Sequence, residues 1–351
     1  MSLTAFRTLG RSGLVVSPAA LGTMTFGNRN WGSSDAVSRA VFDAYVEAGG
    51  NFIDTADVYS DGRSEELLGG YIADRSLRDR LVLATKFGFN AEAGNPHAGG
   101  NGRKNIHRAL EGSLRRLRTD YVDLYWMHVY DLVTPVEEVL QSLGDLVRAG
   151  KIRYFGFSDL PAWYAVRAAT LASAHGAPGP VALQLEYSLV ERSIEREHVP
   201  AARECGLGIM PWSPLGGGFL TGKYARDGQG AAGQGRLSGG NPFQGAYTKF
   251  TELNWRVLDV LRTVAEQVDR PPAQVALAWA ASQPGVTTLT LGASRPDQLH
   301  DNLAALELSL TAEQLQALDQ VSALALAFPY GILTPGANRM IFGGAAVQGW
   351  R

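Results

Sequence analysis

Cysteine is nearly absent from this chain: Cys205 is the single thiol in 351 residues. No internal disulfide can form, which suits a reducing compartment. Charge of one sign is also missing, since 32 Lys and Arg against 34 Asp and Glu leave a formal net charge of −2 with no basic run. Such a surface gives no electrostatic reason to bind nucleic acid or an anionic bilayer. No stretch reaches the ~20 apolar residues of a bilayer-crossing helix, and MSLTAFRTLG lacks a charged region followed by an apolar core. The expectation is a cytoplasmic small-molecule enzyme without membrane segments. The histidines, at 97, 107, 128, 175, 198 and 300, show no HxH or HExxH spacing, so metal-assisted hydrolysis is a weak alternative and no metal site is expected. No GxGxxG follows an apolar run, which argues against a Rossmann unit. GGFLTGK places Lys223 after Gly217 and Gly222, but Tyr224 stands where a triphosphatase needs Ser or Thr for magnesium. Kinase and ATPase chemistry are rejected.

What the chain does have is a repeated unit: a Val, Ile and Leu-rich run, a turn, an amphipathic stretch and another turn. Eight runs qualify as strands: 19–24, 51–56, 81–87, 121–128, 152–158, 181–187, 207–213 and 286–292. Their spacing leaves room for one crossover helix each, which implies parallel strands covered by helices. Eight such units predict an α/β fold, a closed (β/α)8 TIM barrel forming one domain over residues 1–351. FRTLGRSGLVVSPAALG reads as an N-terminal hairpin over 6–18, turning at Arg11–Gly13 and expected to plug the far end of the barrel. Thr311 and Gln314 match a capping box, and Ser64 three residues before Leu67 supports a second helix start. Three irregular segments, 88–102, 214–250 and the tail 325–351, interrupt the spacing. The first two follow strands three and seven and would rise over the barrel mouth as walls.

Asp54, Tyr59, Lys86 and His128 close three adjacent apolar runs, so a barrel delivers all four to its C-terminal face, where such folds carry their chemistry. A phenol titrates near ~10 and donates a proton at neutral pH only if a cation stabilises the phenolate left behind. Lys86 is that cation: at ~4 Å and an effective dielectric of ~20 it contributes roughly 4 kcal/mol, or about three pKa units before its own desolvation. Taken singly, a strand-end lysine or a lone histidine reads as solvated or structural. The conjunction overturns that, because a buried lysine needs a partner and Asp54 supplies one. Asp57 and Asp61 lack such support and read as turn or capping groups; Trp126, Trp163 and Trp279 read as packing residues and Trp31 as a pocket wall.

At these residues the chain resembles the aldo-keto reductases from about Arg7 to about Leu306. The motifs LGTMTFG, GGNFIDTADVYSDGRSEELLGG, ATKFG, RRLRTDYVDLYWMH, GKIRYFGFSD, QLEYSL, PWSPLGGGFLTGKY and LGASRPDQLHDNL occur in the family's order. The resemblance implies that Tyr59 is general acid in reduction and general base in oxidation. Lys86 and Asp54 would set its acidity, and His128 would orient the carbonyl. It also implies a nicotinamide cofactor as hydride source. Ser158, Asp159 and Gln184 match the residues that hold its carboxamide, and Trp212 the ring beneath it, with Gly22, Thr23 and Met24 lining the same region. Asp159 departs from the commoner Asn: a carboxylate accepts hydrogen bonds but donates none, so it could bind only the amide nitrogen. The pyrophosphate would lie under Ser213, Leu215, Gly218, Leu220 and Lys223, and the adenosine end would reach Gly292, Ser294, Arg295, Gln298 and Asn302. Arg295 suits a 2′-phosphate, which favours NADP(H) over NAD.

The implied activity is interconversion of a small-molecule carbonyl and alcohol. A redox-sensing, nucleotide-binding regulatory subunit with slow turnover would keep the same tetrad, and a non-redox barrel isomerase or lyase is a third reading. Substrate identity and oligomeric state are not legible.

Overall fold

The computed structural model describes residues 2–28, 32–226, 237 and 248–347. Trp31 and most of the segment between 227 and 247 lie outside them. A hairpin, β1 (Arg7–Thr8) and β2 (Val15–Val16), precedes eight parallel strands. These are β3 (Ala19–Gly22), β4 (Phe52–Asp54), β5 (Val82–Phe87), β6 (Val122–Met127), β7 (Ile152–Ser158), β8 (Ala182–Glu186), β9 (Gly208–Trp212) and β10 (Leu289–Gly292). They pair in chain order, with β10 returning to β3. Between β9 and β10 the ring closes at one residue: Ile209 N–H donates to Gly285 (3.0 Å) and its carbonyl accepts from Thr287 (2.8 Å). The expected (β/α)8 barrel and hairpin are present, with the eighth strand three residues shorter at its start than the sequence suggested.

The helices α1 (Asp35–Glu47), α2 (Arg63–Asp74), α3 (Arg103–Leu117), α4 (Val136–Arg148), α5 (Ala162–Ala174) and α6 (His198–Cys205) follow the first six barrel strands. After β9 come α7 (Glu252–Gln267) and α8 (Pro272–Ser282), and after β10 come α9 (Pro296–Leu303), α10 (Ala312–Val321) and α11 (Pro335–Ile341). Periodicity explains their seating. In α1 the buried residues Ser38, Val41, Phe42 and Tyr45 fall on one stripe. Tyr45 then fastens the helix to the barrel, its hydroxyl donating to Ala19 (2.8 Å) and accepting from Phe52 N–H (3.1 Å). The capping box at Thr311 and Gln314 is formed. Ser64 is no cap: α2 starts from Gly62, and the Ser64 hydroxyl turns inward to Thr23 and Thr55. Trp126 and Trp279 are packed as expected, whereas Trp163 is 54% exposed beside Tyr130. Helix α11 buries no residue, and the tail around it exposes Leu326, Phe328, Leu333, Met340 and Ile341.

Inside the barrel, Ala20, Phe52, Val82, Ala84, Leu124, Trp126, Ala182 and Met210 form one apolar cluster with Leu9, Leu14 and Val16 of the hairpin. The hairpin thus stoppers the N-terminal end, and Arg11 N–H bonds to Gly206 (2.7 Å) to hold it there. Gly156 is glycine because the Trp126 ring fills its place: a Cβ would lie 2.4 Å from that ring.

Candidate active site

Side chains alternate across a strand, so a residue two positions beyond an inward one also points inward. From the apolar floor, Phe52 leads to Asp54, Ala84 to Lys86, Trp126 to His128, Ala182 to Gln184 and Met210 to Trp212. The strands therefore place a polar layer on top of an apolar one, at the end away from the hairpin plug.

Lys86 is fully buried and spends its three donors locally: Nζ lies 2.6 Å from the Asp54 carboxylate, 2.7 Å from the Thr55 carbonyl and 3.2 Å from the Tyr59 hydroxyl. Burial works against the ammonium, but Asp54 and then Tyr59 outweigh it and hold its pKa above the ordinary lysine value. It stays a cation at neutral pH. The second Asp54 oxygen accepts from the Gln184 amide at 3.1 Å, which stiffens the pair. Tyr59 sits in a 3-10 turn (Tyr59–Gly62) in which Ser60 and Asp61 adopt φ of 51° and 55°. Asp61 is exposed there, as a turn residue should be. Beneath this turn, Thr23 donates to the Asp54 carbonyl and bonds Ser64, so its hydroxyl serves the framework.

His128 meets Tyr59 edge to face, ring centres 5.9 Å apart, and packs against Phe89 at 4.8 Å. Phe89 belongs to the 88–102 segment, which does reach the mouth. Burial, and behind it the Lys86 charge, keeps the imidazole well below its ordinary pKa and therefore neutral. A neutral imidazole offers one donor and one acceptor, the inventory needed to orient an uncharged oxygen.

Asp57 lies in the turn as read, but it is not a surface group. Its side chain is buried, with Oδ1 lacking a hydrogen-bond partner among the described residues. Burial, reinforced by Glu65, pushes its pKa up to about 7. A carboxyl whose folded pKa is raised contributes stability below its unfolded pKa, and that contribution is lost as pH rises through the folded value. Asp57→Asn should therefore be stabilising by about 2–4 kcal/mol at pH 8 and much less at pH 5. Urea midpoints of both proteins at the two pH values check this, and a pH-independent difference would contradict it.

Around the rim, Ser158 is buried at the end of β7, its hydroxyl beside the Asp159 carboxyl. Asp159 follows it with φ 46° and accepts from the Trp212 indole N–H at 2.9 Å. After β9, Ser213 and then Gly216, Gly217 and Gly218 take positive φ (49°, 57°, 66° and 90°), which brings bare backbone to the surface. Lys223 folds back so that its ammonium would lie 3.1 Å from a Cβ at Gly218, and it pairs with no carboxylate among the described residues. This donor set of glycine backbone and lysine suits a phosphate. After β10, Gly292 is exposed, Ser294 donates to Gln298 through both N–H (2.9 Å) and hydroxyl (3.0 Å), and Arg295 reaches Asp297 at 3.3 Å. Asn302 is buried behind them. These residues follow one another along the ends of β7, β9 and β10.

Sequence reasoning missed the buried Lys249, whose Nζ lies 2.9 Å from Glu186 at the end of β8. Inward parity of Glu186 with Gln184 was the available signal; nothing local marked Lys249.

No helix among the described residues is long and apolar enough to cross a membrane, and no group of three or more His, Cys, Asp or Glu among them could hold a metal ion. The sequence profile of the aldo/keto reductase family matches residues 19–323. Among curated proteins, the chain is 34% identical to an aryl-alcohol dehydrogenase (NADP(+)) of Phanerodontia chrysosporium, covering 95% of this chain and 90% of the relative. It is 34% identical to aryl-alcohol dehydrogenase GME11368 of Pestalotiopsis microspora (93% and 84% covered). It is 33% identical to norsolorinic acid reductase of Aspergillus flavus (92% and 82% covered).

Proposed function

This chain belongs to the aldo/keto reductase family and is an oxidoreductase, and from that premise we propose that it interconverts aromatic aldehydes or ketones and alcohols, with NADP(H) as redox partner and Tyr59 as proton donor and acceptor. The observation that carries the proposal is the fully buried Lys86 ammonium, 2.6 Å from Asp54 and 3.2 Å from the Tyr59 hydroxyl.

A reduced nicotinamide held at this rim would supply a hydride, a proton with two electrons, to the carbonyl carbon. The chain's own contribution is the proton and the geometry. Tyr59 releases its phenolic proton to the carbonyl oxygen, and Lys86 stabilises the phenolate so formed. Asp54 keeps Lys86 charged and aimed, which offsets part of its desolvation. Neutral His128 donates a hydrogen bond that fixes the carbonyl, and Phe89 beside it offers an edge for an aromatic substrate, in keeping with the names of the relatives. In oxidation the same groups run in reverse, with tyrosinate as base.

The Ser158 hydroxyl, the Gln184 amide and the Trp212 ring fit a carboxamide-bearing ring at the mouth. The glycine turn with Lys223 fits a pyrophosphate, and Arg295 fits a 2′-phosphate. A thermal-shift comparison tests the assignment. NADP at ~100 times its dissociation constant should stabilise by about 2.7 kcal/mol, a rise of several degrees. NAD at the same concentration should give a clearly smaller rise, and Arg295→Ala should erase the difference. Equal shifts in the wild type would remove the NADP preference; no shift with either would remove the proposal.

A further inference from the structure

Asp159 stands out among the groups at the mouth because it is pinned without being neutralised. Its N–H donates to Gln184 (3.4 Å), its carbonyl accepts from Tyr130 (3.2 Å) and its Oδ1 accepts from the Trp212 indole (2.9 Å). β8 and the loop after β6 thus hold the Asp159 backbone, and Trp212 at the end of β9 holds its carboxyl. Among the described residues no Lys, Arg or His lies within ion-pair distance of it. The nearby cations are committed elsewhere, Lys86 to Asp54 at 2.6 Å and Lys249 to Glu186 at 2.9 Å.

We propose that Asp159 is a specificity-determining residue that distinguishes oxidised from reduced nicotinamide by charge, its carboxylate favouring the cationic ring over the neutral one. The inference rests on reading this rim as the nicotinamide site. Oxidised nicotinamide carries a positive charge and the reduced ring carries none, so a carboxylate without an ion-pair partner among the described residues, next to the ring position, adds attraction to one form alone. An asparagine there would keep the acceptor for Trp212 and lose that attraction. Burial pushes the Asp159 carboxyl up to about 6, with Glu186 also working upward and the Trp212 bond, the Ser158 hydroxyl and the Lys86 charge working downward. The group is therefore largely ionised at pH 7.5, whereas near pH 6 it is partly protonated and would release a proton when a cation binds beside it.

Calorimetric titration of the full chain with NADP+ and with NADPH at pH 7.5 tests this. Asp159→Asn should weaken NADP+ binding about tenfold, or about 1.4 kcal/mol, while NADPH binding changes less than threefold. That is the size expected of a charge pair beyond contact distance under partial screening. A measurement on the wild type alone guards against a misfolded variant. At pH 6, titrations in buffers of different ionisation enthalpy should show more protons released with NADP+ than with NADPH, the 2′-phosphate contributing equally to both. The other ionisable groups facing this corner are Lys86, Asp54, Glu186 with Lys249, and His128, which stays neutral. Equal weakening of both forms by Asp159→Asn, or equal proton release, would overturn the inference with the cofactor site intact. If the wild type bound neither form, the nicotinamide reading would fail first and this inference with it.

Discussion

Tyr59→Phe should lower kcat for carbonyl reduction by about 10²–10⁴-fold, the usual contribution of a positioned general acid, and leave the NADP(H) dissociation constant within about threefold. The hydroxyl is the only atom group removed. It lies 3.2 Å from Lys86 Nζ, on the edge of the mouth, and the ring that remains still packs against His128. Substrate KM should move little, because the lost interaction matters most as the oxygen gains charge. Steady-state kinetics beside fluorescence titration with NADPH separates the two effects. A variant keeping a tenth or more of wild-type turnover would show that another group supplies the proton.

Lys86→Met has the second large effect, and it falls on stability as well as rate. Methionine fills most of the lysine volume, but the change strands the Asp54 carboxylate, 2% exposed, with the Gln184 amide as its remaining side-chain partner. Breaking a buried pair on one side costs about 3–5 kcal/mol, mainly from the uncompensated charge. Unfolding in urea should register that loss. Adding Asp54→Asn removes the stranded charge and should recover much of the stability while leaving turnover at the level of the single variant. Recovery of turnover together with stability would mean that Lys86 acts only as a structural cation.

The barrel was legible because each strand is an apolar run of the right length, and the position of Asp54, Lys86 and His128 at the ends of adjacent runs was enough to send them to one face. Lys86 was identifiable because a lysine closing an apolar run needs a partner and Asp54 supplies one. Closure was expected from the count of eight units; the structure makes it through Ile209, bonded to Gly285 and Thr287. Asp57 is the turn residue it was read as, but DTADVYS does not show its burial, and only packing against α2 and α3 encloses the carboxyl with Glu65 and Arg116. Trp163 looked like core from its size, yet it begins α5 at the rim, where little covers it. Lys249 lies in a Gly- and Pro-interrupted stretch without periodicity, so its pairing with Glu186 had no local signature.

The account turns on Lys86 and Tyr59 acting as one device, and a double-mutant cycle on kcat/KM measures that directly. Variants Tyr59→Phe, Lys86→Met and the pair together would be assayed at a temperature where each is folded by circular dichroism. If the ammonium works through the phenol, the double variant should be no slower than Tyr59→Phe alone, within about threefold, because the second change has nothing left to impair. Losses that multiply would mean that the two residues contribute independently, which contradicts the mechanism.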